Sequence, residues 1–451
     1  MPSPVRPLTP EEDAAVVERS NAASPGLMGG ARGPARRALY FAFAVAMPLT
    51  FVGNAFAGFR ASGWAWLLNL VVIAPLVLGG PLPVRAVRRL SPYLAFLGLC
   101  VVSLAWVEDP QKGVLTFLQL SVPVLAYVLA WRAADRAEQV LGRLGQICLL
   151  GLGLVTVLLL AVRVLGGLPG LEVSVRPIAI SLAVMFVVGT INATSWRRTM
   201  LIGVGVVLIA GLTGSRMSSA VLMVLLLCSP SLAVSLHWRV LVAVLAVLLL
   251  LGLSQTEAFK TRFFFDEDAT LTDVLTLSPK LNTAGRREAW PELIEACSDA
   301  PITGHGVGAS YRISEYLSGG GFGQPHNDYI RTYCDTGWLG IIAFWGFFLA
   351  AGVRSAKQAV RGTDGQLHAA AGLLVLAFAL FALTDNPMVY TAHFMTPLAI
   401  VLGLSDATYQ RTREQRIRRA ATQPAQAPAS ASHDRFGHDT DVLAGQRLRG
   451  P

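Results

Sequence analysis

Apolar residues run in long blocks along most of this chain, and short polar clusters separate the blocks. About 20 consecutive apolar residues, wound as an α-helix, cross the hydrocarbon core of a bilayer. The pattern therefore predicts spanning helices at 38–56, 64–80, 90–107, 114–131, 144–166, 175–193, 199–214, 216–235, 238–254, 337–353, 367–384 and 388–405. That makes about twelve, with ten also compatible. The Pro and Gly inside several blocks are tolerated in a helix bundle, where neighbours satisfy the freed backbone groups.

Polar stretches divide the rest. Residues 1–37 read as a cytoplasmic tail and 38–254 as a membrane bundle of about nine spans. Residues 255–336 form one long loop, 337–405 about three further spans, and 406–451 a basic tail that turns Ala/Pro/Gln/Ser-rich and reads as disordered. A long loop with no structure or function of its own is uncommon. This one holds seven Lys/Arg and twelve Asp/Glu, and is expected to be a small subdomain. The fold class is thus an all-α polytopic membrane protein.

Composition agrees: of 451 residues, 53% are hydrophobic and only 14% charged, against roughly 25% charged in soluble domains. The net charge of +9 points to topology and not to nucleic acid, because Lys and Arg collect on cytoplasmic loops. Counted from an inside N-terminus, the inner segments hold Arg32, Arg36, Arg37, Arg85, Arg88, Arg89, Arg132, Arg136, Arg143, Arg197, Arg198, Arg239, Arg354, Lys357 and Arg361, then a basic tail beginning at Arg411. The short outer loops hold Arg60, Lys112, Arg163, Arg176 and Arg216. Both termini are therefore expected in the cytoplasm and the long loop outside, with the basic tail against anionic lipid headgroups.

Four elements carry candidate chemistry. "LTGSRMSSA" sets Arg216 at the outer end of a span, where it is either an anion ligand or a snorkelling side chain. In "NTAGRREAWPELIEACSDAP", Trp290, Leu293, Ile294 and Cys297 recur at helical spacing opposite Glu288, Glu292, Glu295 and Asp299, which predicts an amphipathic helix. Arg286 and Arg287 stand at its start, as an anion site or as a solvated pair. "PITGHGVGAS" alternates Gly304, Gly306 and Gly308, which permits tight turns but is no dinucleotide fingerprint; His305 there reads as structural. "GQPHNDYIRTYCDTG" places His326, Asn327 and Asp328 beside an apolar run. A neutral imidazole can take a proton at pH 7, although a single loop histidine is often incidental.

Other features are plainer. "FFFDEDAT" is a divalent-cation site or a solvated acidic loop. Cys100, Cys148 and Cys228 fall in apolar runs, whereas Cys297 and Cys334 share the long loop and are able to bond if it faces an oxidising compartment. No Cys or His spacing suits a metal, and there is no nucleotide-binding loop, so no cofactor is expected.

Taken in order, "TGSR", "GRREAW", "APITGHGVG" and "HNDYIRTYCDTGWLG" resemble the O-antigen ligase/polymerase superfamily of bacterial membrane glycosyltransferases, over residues 213–340. The resemblance implies a GT-C-like bundle in the cytoplasmic membrane, acting on its outer face. It implies a polyprenyl (undecaprenyl) diphosphate-linked glycan as donor and a glycolipid or glycan hydroxyl as acceptor. Arg216 and Arg286 would hold the diphosphate, and His326 would assist the acceptor's attack. Arg287, Trp290, Gly304, Gly306, Asn327, Tyr329 and Asp335 would complete the substrate site. Asp335 stands where the family commonly has Glu, and Pro291 after the Trp is a second departure. Two guanidiniums can stabilise a diphosphate leaving group without a metal. A polymerase joining lipid-linked repeat units shares this chemistry. A flippase fits less well, since the spans carry few charges and no repeat is visible.

Overall fold

The computed structural model describes residues 27–56, 59–165, 172–191, 193, 195–213, 215–229, 241, 244, 248, 286–319, 323–361 and 364–422. The expected span at 238–254 and the acidic 266–268 cluster lie outside the described residues, apart from those three isolated positions. By contact the chain resolves into one unit, Met1–Tyr409, which holds the helix bundle, and a second, Gln410–Pro451.

The regular structure of the described part is helical apart from one two-residue ladder and an isolated antiparallel bridge, Val52 with Val173. Helix α1 (Leu27–Phe41) continues through a π-turn (Ala42–Ala46) to Met47–Leu49. A two-residue antiparallel pair follows, β1 (Ala55–Phe56) with β2 (Phe59–Arg60). Then come α2 (Ala61–Leu78), α3 (Val84–Ser103), α4 (Pro110–Ala133), α5 (Ala137–Leu165), α6 (Val175–Thr190), α7 (Trp196–Thr213) and α8 (Arg216–Cys228). The remainder is α9 (Arg286–Ala296), α10 (Ala309–Leu317), α11 (Asp328–Arg361), α12 (Gly365–Ala382) and, after a π-turn at Thr391–Met395, α13 (Thr396–Thr422).

Five helical stretches among the described residues are long and apolar enough to cross a membrane: α2, α3, the α4–α5 run Pro110–Val162, α11 and α12. Helices α6 and α8 are apolar but have 16 and 13 residues. At 1.5 Å per residue they rise about 24 and 20 Å, less than the roughly 30 Å hydrocarbon core. Apolar composition does not report whether a helix faces lipid. Helix α6 is buried at every position from Pro177 to Thr190, which is why its sequence is apolar all round.

Helix α11 is the organising element of the bundle. Phe344, Phe347 and Phe348 on α11 pack against Tyr93 of α3 with ring centroids 5.4–6.1 Å apart, and Tyr93 donates its hydroxyl to the Leu120 carbonyl at 3.1 Å. In a bilayer lipid is as apolar as these rings, so close packing and hydrogen bonds hold the helices together, not water exclusion. Near the other end of α11, Arg354 approaches Asp406 at 3.5 Å, and Asp406 accepts the Tyr127 hydroxyl at 2.8 Å.

Helix α11 starts at Asp328, nine residues before the apolar run suggested, and breaks at Gly337 (φ 63°, ψ −162°), a conformation essentially reserved for glycine. The break frees backbone groups, and the loop at 301–306 takes them up. His305 and Gly306 N–H donate to the Cys334 and Asp335 carbonyls at 2.9 Å each. Trp338 and Leu339 N–H donate to the Pro301 and Ile302 carbonyls at 2.9 and 3.3 Å. A Cβ on Gly304 would lie 2.5 Å from Thr336 N, and one on Gly306 would lie 2.7 Å from Val107 Cβ. The alternating glycines are thus the condition for this loop to lie flat on the helix break.

Candidate active site

Because successive helices alternate in direction, the starts of α6, α8 and α11 and the end of α12 share one end of the bundle. The α9–α10 segment lies there too. Helix α9 forms where the periodicity predicts, with Leu293 and Cys297 buried, Trp290 half-buried and Glu292, Glu295 and Asp299 facing out, but Ile294, expected on the apolar face, is exposed. Cys297 and Cys334 are joined by a disulfide, so α9 is bonded covalently to α11. Leu293 and Ile330 fill the space around the bridge.

His326 sits just before α11 with φ 51°, the described non-glycine residue in the left-handed region. The backbone around it is held on every side. Trp290 Nε1 donates to the Pro325 carbonyl at 2.8 Å. Asn327 Oδ1 accepts Tyr329 and Ile330 N–H at 3.0 and 3.1 Å, capping α11, and its Nδ2 donates to the Leu383 carbonyl at 3.0 Å. Met388 N–H donates to Asp328 Oδ2 at 2.7 Å. An outlier held this firmly is characteristic of a site whose geometry is functional.

The loop that these bonds capture, 383–390, brings Asp385 and Asn386 to the histidine. Asn386 Nδ2 lies 3.2 Å from His326 Nδ1 and donates to Gln324 Oε1 at 2.6 Å. Asp385 Oδ1 lies 3.8 Å from His326 Nδ1, and Asp385 Oδ2 lies 3.9 Å from Arg176 Nε. Burial alone would raise the Asp385 carboxyl's pKa. The His326 ring, the Arg176 guanidinium and the Asn386 N–H outweigh burial and hold it below the ordinary aspartate value.

Arg286 opens α9 one helical turn before Trp290. It is half-buried, and its Nε is buried with no hydrogen-bond partner among the described residues. Burial pulls its pKa below the usual arginine value, Asp385 acts against this, and Arg176 adds to it. Even lowered, an arginine stays charged. Those interactions place Arg286, Arg176 and Asp385 within one electrostatic neighbourhood beside His326.

Several residues singled out by motif have their side chains engaged in the fold. Tyr329 donates to the Ala379 carbonyl at 3.2 Å and stacks on Trp345 at 3.9 Å. Asp335 is buried, accepts Ser310 N–H at 2.8 Å at the start of α10, and lies 3.7 Å from the buried Arg331. Arg331 in turn lies over the Tyr311 ring at 4.8 Å. Asn327 and Trp290 fix the backbone on either side of His326, and Gly304 and Gly306 shape the loop against the helix break. Arg216 starts α8, which packs on α6 and α12. The Arg287 side chain is outside the described residues. His305, taken as structural, lies 2.8 Å from Asp299.

Sequence reasoning missed Asp385, Asn386 and Gln324, and counted Arg176 only as an outer-loop charge. A signal existed: "TDNPM" interrupts two apolar runs with a carboxylate and an amide, on the same side as His326.

Residues 201–345 match the family model described as O-antigen ligase, which supports a likeness to the O-antigen ligase superfamily over this stretch. No curated protein matches the chain significantly. The match ends before Asp385 and begins after Arg176, so both stand outside it.

Proposed function

We propose that this chain is an O-antigen ligase-type glycosyltransferase, moving a glycan from a polyprenyl (undecaprenyl) diphosphate to an acceptor hydroxyl in cell-surface polysaccharide synthesis. The observation that carries the reading is the juxtaposition of an imidazole, a carboxylate and two guanidiniums: His326 Nδ1 lies 3.8 Å from Asp385, Arg176 lies 3.9 Å from the same carboxylate, and the half-buried Arg286 shares its field.

The chemistry derives from those groups. The bond from the sugar's anomeric carbon to the phosphate oxygen breaks, and its electron pair leaves with the diphosphate. Arg286, joined by Arg176 and Arg216 from the same end of the bundle, offsets that charge as fixed cationic donors. The acceptor oxygen bonds to the anomeric carbon, and its proton passes to His326 Nε2. For that step Nδ1 must carry the other proton: the Asn386 amide, 3.2 Å from Nδ1, then turns its oxygen to the ring, its Gln324 partner turning with it, and Asp385 at 3.8 Å is the nearest anion to offset the charge. As the ring becomes an imidazolium, the ionised Asp385 stabilises it.

Two observations support placing this end outside the cytoplasmic membrane, with both termini inside. The Cys297–Cys334 disulfide lies here, and disulfides persist in oxidising compartments. The connections at the other end carry Arg85, Arg88, Arg132, Arg136, Arg197 and Arg361, the distribution of cytoplasmic loops.

The test uses purified full-length chain with a lipid-linked glycan donor and a glycolipid acceptor. His326→Ala should abolish transfer, and Arg286→Lys should impair it severely because lysine lacks the guanidinium fork. Normal transfer by both variants refutes the mechanism. Lengthening of the lipid-linked glycan with no acceptor added identifies the polymerase reaction instead.

A further inference from the structure

A cavity of about 290 Å³ lies between α9, α10 and the stretch leading to His326. Its wall includes Arg286, Trp290, Glu292, Ser314, Ser318 and Gln324. We propose that this cavity seats the first sugar of the donor, the residue bonded directly to the diphosphate. The inference rests on the reading of Arg286 as a diphosphate ligand and extends it to the neighbouring group.

Three features argue for a sugar. The wall is mixed: Trp290 spends its N–H on the Pro325 carbonyl and so offers the cavity apolar indole surface. Hydroxyls, an amide and a carboxylate surround it. A pyranose ring presents this same combination, with C–H faces and hydroxyls on its rim. Second, Glu292 argues against more phosphate, because a carboxylate on the wall repels a second anion while accepting hydrogen bonds from hydroxyls. Third, the volume lies at the small end of the roughly 300–1,000 Å³ of small-molecule sites, which suits one sugar residue and not an oligosaccharide.

Position selects the donor sugar over the acceptor. Arg286 belongs both to the cavity wall and to the charged cluster around Asp385, and its buried Nε has no partner among the described residues. A group bonded to a phosphate held there must lie within a bond or two of Arg286. At the other side Gln324 accepts from Asn386, which touches the His326 ring. A sugar in the cavity therefore presents its anomeric carbon between the arginine that takes the leaving group and the histidine that takes the acceptor's proton. The cavity's polar side chains would then decide which donor sugar is accepted.

The experiment measures binding to the full-length chain in nanodiscs. The probes are geranylgeranyl diphosphate alone and the same diphosphate carrying a single glucose or N-acetylglucosamine. Wild type should bind at least one glycosylated probe about tenfold more tightly than the bare diphosphate, the worth of one or two well-placed hydrogen bonds. Glu292→Gln, on an exposed position, and Ala289→Trp, which fills the cavity, should each lose most of that advantage and keep bare-probe affinity within about twofold. Equal affinity for all probes, or an advantage that survives both substitutions, overturns the cavity assignment and leaves the diphosphate reading intact. Failure of wild type to bind even the bare diphosphate overturns the reading of Arg286, and the cavity assignment with it.

Discussion

Asp385→Asn isolates the group that the structure places behind His326. The substitution keeps the side chain's shape and an oxygen able to accept the Asn386 N–H, now bonded at 2.9 Å, so the 383–390 loop has no reason to move. It removes one negative charge 3.8 Å from His326 Nδ1. At an effective dielectric near 20, two unit charges at that distance interact by about 4 kcal/mol. Only the protonated ring feels this, and the ring is protonated as the acceptor is deprotonated, so the loss falls on the transition state. At 1.36 kcal/mol per tenfold, the transfer step should slow by up to about a thousandfold. The assay is single-turnover transfer from a lipid-linked donor in nanodiscs, with donor affinity measured separately. Asp385→Asn should keep donor affinity within a few-fold while the rate collapses. A rate within threefold of wild type refutes the pairing. A loss confined to donor binding reassigns Asp385 to the arginine cluster.

The remaining predictions address the scaffold. Replacing Cys297 and Cys334 by Ser opens a bridge across 37 residues, a loop whose closure is worth about 4 kcal/mol in the chain-entropy account. The thermal midpoint should fall, and transfer should fall with it as α9 and Arg286 loosen from α11; an unchanged midpoint and rate would contradict this. Gly337→Ala puts a Cβ onto the Ile302 carbonyl oxygen in a glycine-only conformation and should destabilise the protein by about 1–3 kcal/mol or more, read as lost monodisperse yield. Asp385, its folded pKa held below normal, contributes stability that is full above its unfolded value near 3.9 and lost as pH falls through the lower folded value. Its contribution, taken as the difference in thermal midpoint between wild type and Asp385→Asn, should therefore hold from pH 7 to about 4 and shrink only below. A difference already shrinking between pH 7 and 5 would contradict the depressed value.

Much of this site was legible along the chain because its parts are short and local. Arg286 and Trp290 stand one turn apart, the glycines of the 304–308 loop alternate, and His326 and Asn327 are adjacent. What those residues do was less legible. Asn327 and Tyr329 read as ligand contacts by motif, yet the fold occupies them with a helix cap and a helix-to-helix bond. Gly304 acquires its reason only from the α11 backbone beside the break at Gly337, some thirty residues on, and Gly306 from Ser103 and Val107 at the end of α3. The span count illustrates the same limit: an apolar run reports helix and burial, but not whether the buried face meets lipid or protein, as α6 shows.

By itself the sequence determined the membrane-helical class, the helix carrying Arg286 and the candidacy of His326, because all of these reside in local composition or in spacing under ten residues. Only the tertiary structure decided that Asp385 and Asn386, about sixty residues from His326, complete its surroundings, and that Arg176, further still, faces the same carboxylate. Those contacts depend on which helix ends meet. That is set by the packing of α12 against both α6 and α11 and by the hydrogen bonds that fasten one loop to another, and no local pattern encodes it.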